Sequence, residues 1–134
     1  MLSFVTLASG SSGNAALVSC GQTHILLDAG ISARRITTAL RGLGVDPASL
    51  SGVLITHEHT DHISGLATLT KQLGLPVYAT APTLDALAMK VPAIPEKRLG
   101  RFFAPGESFP LGELWIEPFA TSHDAACSVG YAIT

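Results

Sequence analysis

Residues 53–66 read VLITHEHTDHISGL. Within this run, residues 57–62 hold three imidazoles and the carboxylate of Asp61, after an apolar strand-like segment and before a helix-like one. Imidazole nitrogen and carboxylate oxygen are ligand types that zinc, manganese and iron share. Because alternate residues at a strand end point to the same side, His57 and His59 are expected to face together. The run therefore predicts a metal site at a strand-to-helix junction.

A solvated polar loop is the alternative interpretation of this motif. From the frequencies of His and Asp in this chain, a chance H-x-H-x-D-H match is on the order of a few in ten thousand, which favours the metal site. The pattern is not the H-E-x-x-H of zinc proteases, because Asp61 stands where the second histidine would be.

Composition limits the class of protein. The length of 134 residues suits one domain, and the net charge of −2, with scattered Lys and Arg, shows no nucleic-acid footprint. Charged residues make up 13% of the chain against roughly 25% in a typical soluble domain. No apolar run approaches the ~18 residues of a membrane span, and the N-terminus lacks the basic region of a signal peptide. We therefore expect no membrane association, and a surface partly covered by a partner chain or by the remainder of a longer protein.

The two cysteines, Cys20 and Cys127, are too few for a disulfide framework. One disulfide is possible, but two buried free thiols in a reducing cytoplasm is the preferred interpretation. The sequence thus favours a cytoplasmic location.

Strand and helix signals alternate in the first half of the chain, and strand signals dominate the end. This order predicts an α/β layer sandwich rather than a simple Rossmann fold, with residues 91–96 as a loop. The predicted strands are 2–8, 15–19, 24–28, 52–55, 76–79, 98–103, 107–109, 114–119 and 128–133, and the predicted helices are 33–41 (after an N-cap at Ser32), 63–73 and 80–90.

Four features outside the central motif carry possible chemistry. The glycine-rich turn at residues 9–14 is either an anion-accepting backbone loop or a flexible hairpin connection, and the sequence leaves both open. Asp28 ends an apolar strand, where a carboxylate is often a ligand or supports one, whereas His24 is interpreted as structural. His123 follows a strand as His57 does, so it is the natural third nitrogen ligand, and Asp124 is a hydrogen-bond partner for a ligand histidine.

Residues 27–30 (LDAG), the motif through Leu66 and His123 some sixty residues later together resemble the metallo-β-lactamase superfamily. Residues 7–14 (LASGSSGN), 122–125 (SHDA) and 129–131 (VGY) are similar to its YycJ/WalJ-like group of bacterial exonuclease-like proteins. The resemblance covers the whole chain.

The resemblance implies a site with two divalent metal ions, zinc or manganese. Its expected ligands are His57, His59 and His123 for the first ion and Asp61 and His62 for the second, with Asp28 bracing the ligand loop. Asp61 is also the residue expected to be catalytic.

The resemblance further implies an αββα sandwich. Residues 1–134 would be only its N-terminal β/α half, with a mixed sheet, because no bridging aspartate or last histidine follows His123. The first metal site would be complete and the second incomplete. The chain is then expected to self-associate through the sheet face that the other half would cover.

Three functions remain as hypotheses. The first is a metal-dependent hydrolase whose full-length form is a dinuclear phosphodiesterase, a DNA exonuclease. The second is a metallo-hydrolase of a small thioester- or lactam-like substrate. The third is an inactive metal-binding half-domain.

Overall fold

A six-stranded sheet and a three-stranded sheet form the β structure of this computed structural model, which describes residues 2–121 and 128–134. The strands are β1 (Leu2–Ala8), β2 (Ala15–Cys20), β3 (Thr23–Ala29), β4 (Leu50–Leu54), β5 (Val77–Thr80), β6 (Gly100–Phe103), β7 (Phe109–Leu111), β8 (Leu114–Ala120) and β9 (Val129–Ile133). The helices are α1 (Ala33–Gly42), α2 (Thr60–Ile63), α3 (Leu66–Leu73), α4 (Ala81–Lys90) and α5 (Ala93–Glu96), with a 3-10 turn at Pro47–Ser49.

The large sheet runs in the order β1-β2-β3-β4-β5-β6. Its first three strands pair antiparallel, and the pairs β3–β4, β4–β5 and β5–β6 are parallel. The small sheet, β7-β8-β9, is antiparallel throughout. The predicted α/β fold with a mixed sheet is confirmed.

Helices cover one face of the large sheet. Leu26, Val53 and Val77 of the sheet lie in one buried cluster with Ile36 of α1 and Leu66 of α3, all 0% exposed. Burying one such side chain contributes about 1.5–3 kcal/mol relative to leaving it in water, so this layer supplies much of the folding free energy. None of the helices in the described part is long and apolar enough to cross a membrane.

The small sheet covers the opposite face. Ile25 and Leu54, each one position away from a residue of the helical layer, pack with Leu114 and Ile116 of β8. This alternation follows from the two-residue period of a strand, which sends neighbouring side chains to opposite faces. The other side of β8 is open to solvent.

Two sequence-based boundaries need correction in the helical layer. In place of the single helix predicted for residues 63–73, the short helix α2 begins earlier and ends at Ile63, and α3 begins only at Leu66. Gly65 lies in the break between them, and its N–H donates to Ala29 O at 2.8 Å. A Cβ at Gly65 would lie 2.1 Å from Ile31 O, so the backbones of residues 65 and 31 are in direct contact. The helical pattern is interrupted at this contact. Residues 91–96 are not only a loop, because they include α5, in which Pro95 lies in the first turn and needs no N–H donor.

Candidate metal centre

The ends of β3 and β4 meet at one edge of the large sheet because these strands are parallel, with Leu27 opposite Leu54. Asp28 lies at the end of β3, and the stretch of residues 56–62 follows β4. His24, interpreted as structural, pairs with Leu50 at the other end of the same strands and bonds Ser19 Oγ through Nδ1 at 2.6 Å. His24 is therefore remote from the candidate site.

Asp28 contacts both ends of residues 56–62, which are called the metal-binding stretch because they contain the predicted ligands. It is 4% exposed, and its Oδ1 accepts from Thr56 N at 2.8 Å. Its Oδ2 accepts from Thr56 Oγ1 at 2.8 Å and lies 2.5 Å from His62 Nδ1. Asp28 has φ +62°, a left-handed conformation that Asp tolerates better than most residues. The structure thus shows contacts of the kind expected for a residue that braces the ligand loop.

His57, His59 and Asp61 bring their ligand atoms within 4.8 Å of one another. His57 is buried, with 7% of its surface exposed, and its ring lies 4.7 Å from that of His59 and 4.0 Å from that of His62. Two imidazoles and a carboxylate are a donor set that divalent zinc or manganese accepts, with metal–ligand bonds of about 2.0–2.2 Å for zinc. The residues present therefore fit a metal ion.

His62 contacts both carboxylates of the site. Its Nε2 lies 3.5 Å from Asp61 Oδ2, and its Nδ1 bonds Asp28. Burial lowers the pKa of His62, but the hydrogen bond to Asp28 and the charges of Asp28 and Asp61 outweigh it and raise the pKa above the ordinary value. Because a histidine must be neutral to bind a metal ion, a proton would compete with the ion that His62 is predicted to bind.

The predicted site residues on the described part of the chain all gather at this edge of the sheet. Asp61, expected with His62 in a second ion site, lies in the same donor group as His57 and His59. The proposed ligand His123 and its neighbour Asp124 lie outside the described residues, so their predicted roles remain predictions.

Sequence reasoning missed Asn14. This residue closes the connection between β1 and β2, and its Nδ2 lies 3.3 Å from Asp61 Oδ2 and 3.4 Å from His62 Nε2. The sequence identified the glycine-rich turn but not the element it packs against, since that contact joins residues 47 and 48 positions apart. The structure shows that the turn is a hairpin connection bonded to the metal-binding stretch, and its anion-accepting role stays a prediction.

Comparison with known proteins agrees with this geometry. The family model of the metallo-beta-lactamase superfamily matches residues 8–126. Exodeoxyribonuclease YycJ of Bacillus anthracis is 38% identical over 98% of the chain, and exodeoxyribonuclease WalJ of Streptococcus pneumoniae serotype 2 (strain D39) is 36% identical over 93%. The chain covers 49% and 47% of those proteins, so it spans about half the length of the curated relatives it matches.

Solved structures show the same fold. The metallo-beta-lactamase SMB-1, in a complex with mercaptoacetic acid, superposes with a TM-score of 0.78 at 27% identity, over 97% of this chain and 54% of that one. The Rm3 metallo-beta-lactamase gives a TM-score of 0.80 at 24% identity, over 97% and 53%, and so supports the fold alone. With the family model spanning most of its length, the chain belongs to the metallo-beta-lactamase superfamily.

Proposed function

We propose that this chain is the metal-binding part of a metal-dependent hydrolase that cleaves phosphodiester bonds of DNA from an end. One observation carries the proposal: the His57, His59 and Asp61 donor group lies in a chain that is 38% identical over almost its whole length to a protein named an exodeoxyribonuclease. Family membership alone would leave the substrate open, because one fold supports many chemistries.

The proposed ligands are those of the sequence analysis: His57, His59 and His123 for one ion, and Asp61 and His62 for a second. A divalent ion bound there would supply Lewis-acid stabilisation of the developing charge and a water of lowered pKa. Asp61, with its side chain 35% exposed, is the proposed residue that faces both the ion and the substrate. Zinc and manganese are the proposed metals, since both accept imidazole with carboxylate.

The position of Lys90 favours an anionic substrate. Its Nζ donates to Glu58 O at 3.5 Å, and Glu58 stands between the two ligand histidines His57 and His59. The contact holds an exposed cation at the C-terminal end of α4, beside the metal-binding stretch. A phosphodiester carries the negative charge that such a cation attracts.

We also propose that the chain is the N-terminal half of the αββα domain. The supporting observation is the solvent side of β8, where Trp115 is 44% exposed and Phe119 is 51% exposed. Large apolar side chains on one sheet face are typical of a surface that another element covers. In isolation, two copies are proposed to associate through this face. Cys20 is a free but half-buried thiol, which fits the proposed cytoplasmic location, and Cys127 lies outside the described residues.

The test is cleavage of end-labelled DNA by the chain and by the full-length protein proposed to contain it, with zinc or manganese. Metal-dependent release of nucleotides that His57→Ala abolishes is the expected result. A metal-loaded full-length protein that leaves DNA intact would contradict the exonuclease proposal. Cleavage by the full-length protein but not by this chain would identify the chain as an inactive metal-binding half-domain.

A matched pair of variants tests the substrate charge. Lys90→Ala should raise the KM for DNA about 2- to 5-fold with little change in kcat, the effect of one exposed charge contact. Lys97→Ala is the control, because Lys97 Nζ donates to Lys71 O of α3 at 2.9 Å rather than to a residue of the metal-binding stretch. Equal KM values for both variants would exclude a role for Lys90.

A small-substrate hydrolase is the second candidate function. The observation that favours it is the likeness to SMB-1, a metallo-beta-lactamase, at 27% identity. Hydrolysis of a chromogenic β-lactam or of a thioester by the metal-loaded full-length protein, without DNA cleavage, would favour this candidate over the exonuclease.

A further inference from the structure

The connection between β1 and β2 ends at Asn14, a half-buried residue beside the metal-binding stretch. Two hydrogen bonds fix its backbone. Asn14 N donates to Asp61 O at 2.8 Å, and Gly30 N donates to Asn14 O at 2.8 Å. A Cβ at Gly30 would lie 1.8 Å from Asp61 O, so these three backbone segments are in direct contact. The side chain of Asn14 therefore starts from a well-defined position.

The side-chain amide reaches both members of the pair formed by Asp61 and His62. One N–H of Nδ2 donates to Gly10 O at 2.9 Å, while Oδ1 accepts from Gly10 N at 3.2 Å. The other N–H is shared among Asp61 O at 3.2 Å, Asp61 Oδ2 at 3.3 Å and His62 Nε2 at 3.4 Å, distances measured from Nδ2. The partners fix which end of the amide is nitrogen and which is oxygen. Oxygens of Gly10 and Asp61 surround Nδ2, and the N–H of Gly10 faces Oδ1, so the flipped amide would lose these bonds.

The tautomer of His62 gives this contact its chemical meaning. Asp28 Oδ2 is an acceptor 2.5 Å from His62 Nδ1, so neutral His62 carries its proton on Nδ1. The lone pair then lies on Nε2, which faces Asn14 Nδ2 and Asp61 Oδ2. Asn14 thus contacts the two side-chain atoms that would bind a metal ion.

Closure of the hairpin does not require these contacts. The two bonds between Asn14 and Gly10 span four residues and are sufficient to close a tight turn. The contacts with Asp61 and His62 join segments 47 and 48 positions apart, and they connect the turn to the metal-binding stretch alone.

We propose that Asn14 is a positioning residue of the metal centre, which holds Asp61 Oδ2 in place for a divalent ion. Its N–H donates to one lone pair of that carboxylate oxygen and leaves the other for the metal. The inference rests on the proposed function only in taking Asp61 as a ligand. Partners that orient metal ligands typically contribute 10- to 100-fold to metal affinity. Asn14→Ala keeps both backbone bonds and removes the side-chain bonds to Gly10 together with the contacts with Asp61 and His62, so the cobalt spectrum, which reports the ligand set, separates a change at the metal centre from a change in the turn.

The experiment compares Asn14→Ala with Ser12→Ala, an exposed position in the same turn. Zinc affinity is measured by competition with a chromophoric chelator, and the absorption spectrum of the cobalt-substituted chain reports the ligand set. Asn14→Ala should bind zinc about 10- to 100-fold more weakly and change the cobalt spectrum. Ser12→Ala should match the parent within about twofold. Parent-like affinity and spectrum in Asn14→Ala, or a parent chain that binds no divalent ion, would overturn the proposal.

A second measurement needs no substitution and covers the case in which Asn14→Ala does not fold. In the 15N-labelled parent chain, zinc binding should shift the side-chain amide resonances of Asn14 and leave those of the exposed Gln72 unchanged. Side-chain resonances of Asn14 that do not move when zinc binds would overturn the proposal. Neither readout requires DNA, so loss of zinc affinity in Asn14→Ala together with inert DNA would support this inference while contradicting the exonuclease proposal.

Discussion

Replacing Asp28 with Asn tests whether one carboxylate sets the protonation of the metal centre. Asn has nearly the same size and tolerates the φ of +62° found at this position. Its one carbonyl oxygen can keep the bond from Thr56 N, and its NH2 can donate to the Thr56 hydroxyl after that group rotates. The bond with His62 Nδ1 cannot survive in its present form, because an N–H would face an N–H.

The magnitude follows from that single lost bond. A hydrogen bond to a charged group contributes about 1.5–3 kcal/mol, and Asp28 is only 4% exposed, so solvent screening reduces it little. Asp28→Asn should therefore lower the free energy of unfolding by about 1.5–3 kcal/mol. His62 can relieve the clash by moving its proton to Nε2, which removes the lone pair that a metal would take. We expect a further 10- to 100-fold loss of zinc affinity.

The assays are urea denaturation of the chelated chain, zinc competition, and long-range 15N correlation spectra that identify the imidazole tautomer. Asp46→Asn is the matched control, because Asp46 is an exposed cap whose Oδ1 accepts from Ala48 N at 3.0 Å, and Asn caps equally well. That variant should change stability by less than about 0.5 kcal/mol. An Asp28→Asn chain with parent zinc affinity and an unchanged His62 tautomer would refute the reasoning.

Two further predictions concern packing and pH. Gly30→Ala should lower the free energy of unfolding by at least about 2 kcal/mol in urea titrations, because the added Cβ would lie 1.8 Å from Asp61 O. Gly42→Ala is the control: a Cβ there would have no atom within 4 Å, so this variant should be neutral or stabilising by up to about 1 kcal/mol. Similar losses in both variants would contradict the close approach at Gly30. The raised pKa of His62 means that the folded chain binds this proton more tightly than the unfolded chain, so the stability from protonated His62 is fully present below its ordinary pKa of 6.5 and is lost as pH rises through the folded value. Stability of the chelated chain should then fall as the pH rises above 6.5, and His62→Gln should reduce that slope. A slope that is unchanged in His62→Gln would assign the pH dependence to another group.

Local pattern was sufficient for most elements of the fold. The two-residue and 3.6-residue periods place the strands and helices correctly to within a few residues, and Ser32 caps α1 as predicted by accepting from Arg35 N. These features depend on neighbours in the chain, so the sequence contains the information directly. The same holds for the motif at residues 57–62, because its ligand types are adjacent along the chain.

Contacts between distant segments could not be predicted in this way. The break at Gly65 depends on the backbone oxygens of Ala29 and Ile31, and the proposed role of Asn14 depends on the side chains of Asp61 and His62. These groups are about 34 to 48 positions away in the chain. The raised pKa of His62 likewise depends on the parallel pairing of β3 and β4, which brings Asp28 of β3 beside the stretch that follows β4. The candidate ligands at residues 57–62 are thus evident from local sequence, whereas the protonation of His62 and the contacts that support these residues arise from the packing of segments that no local pattern relates.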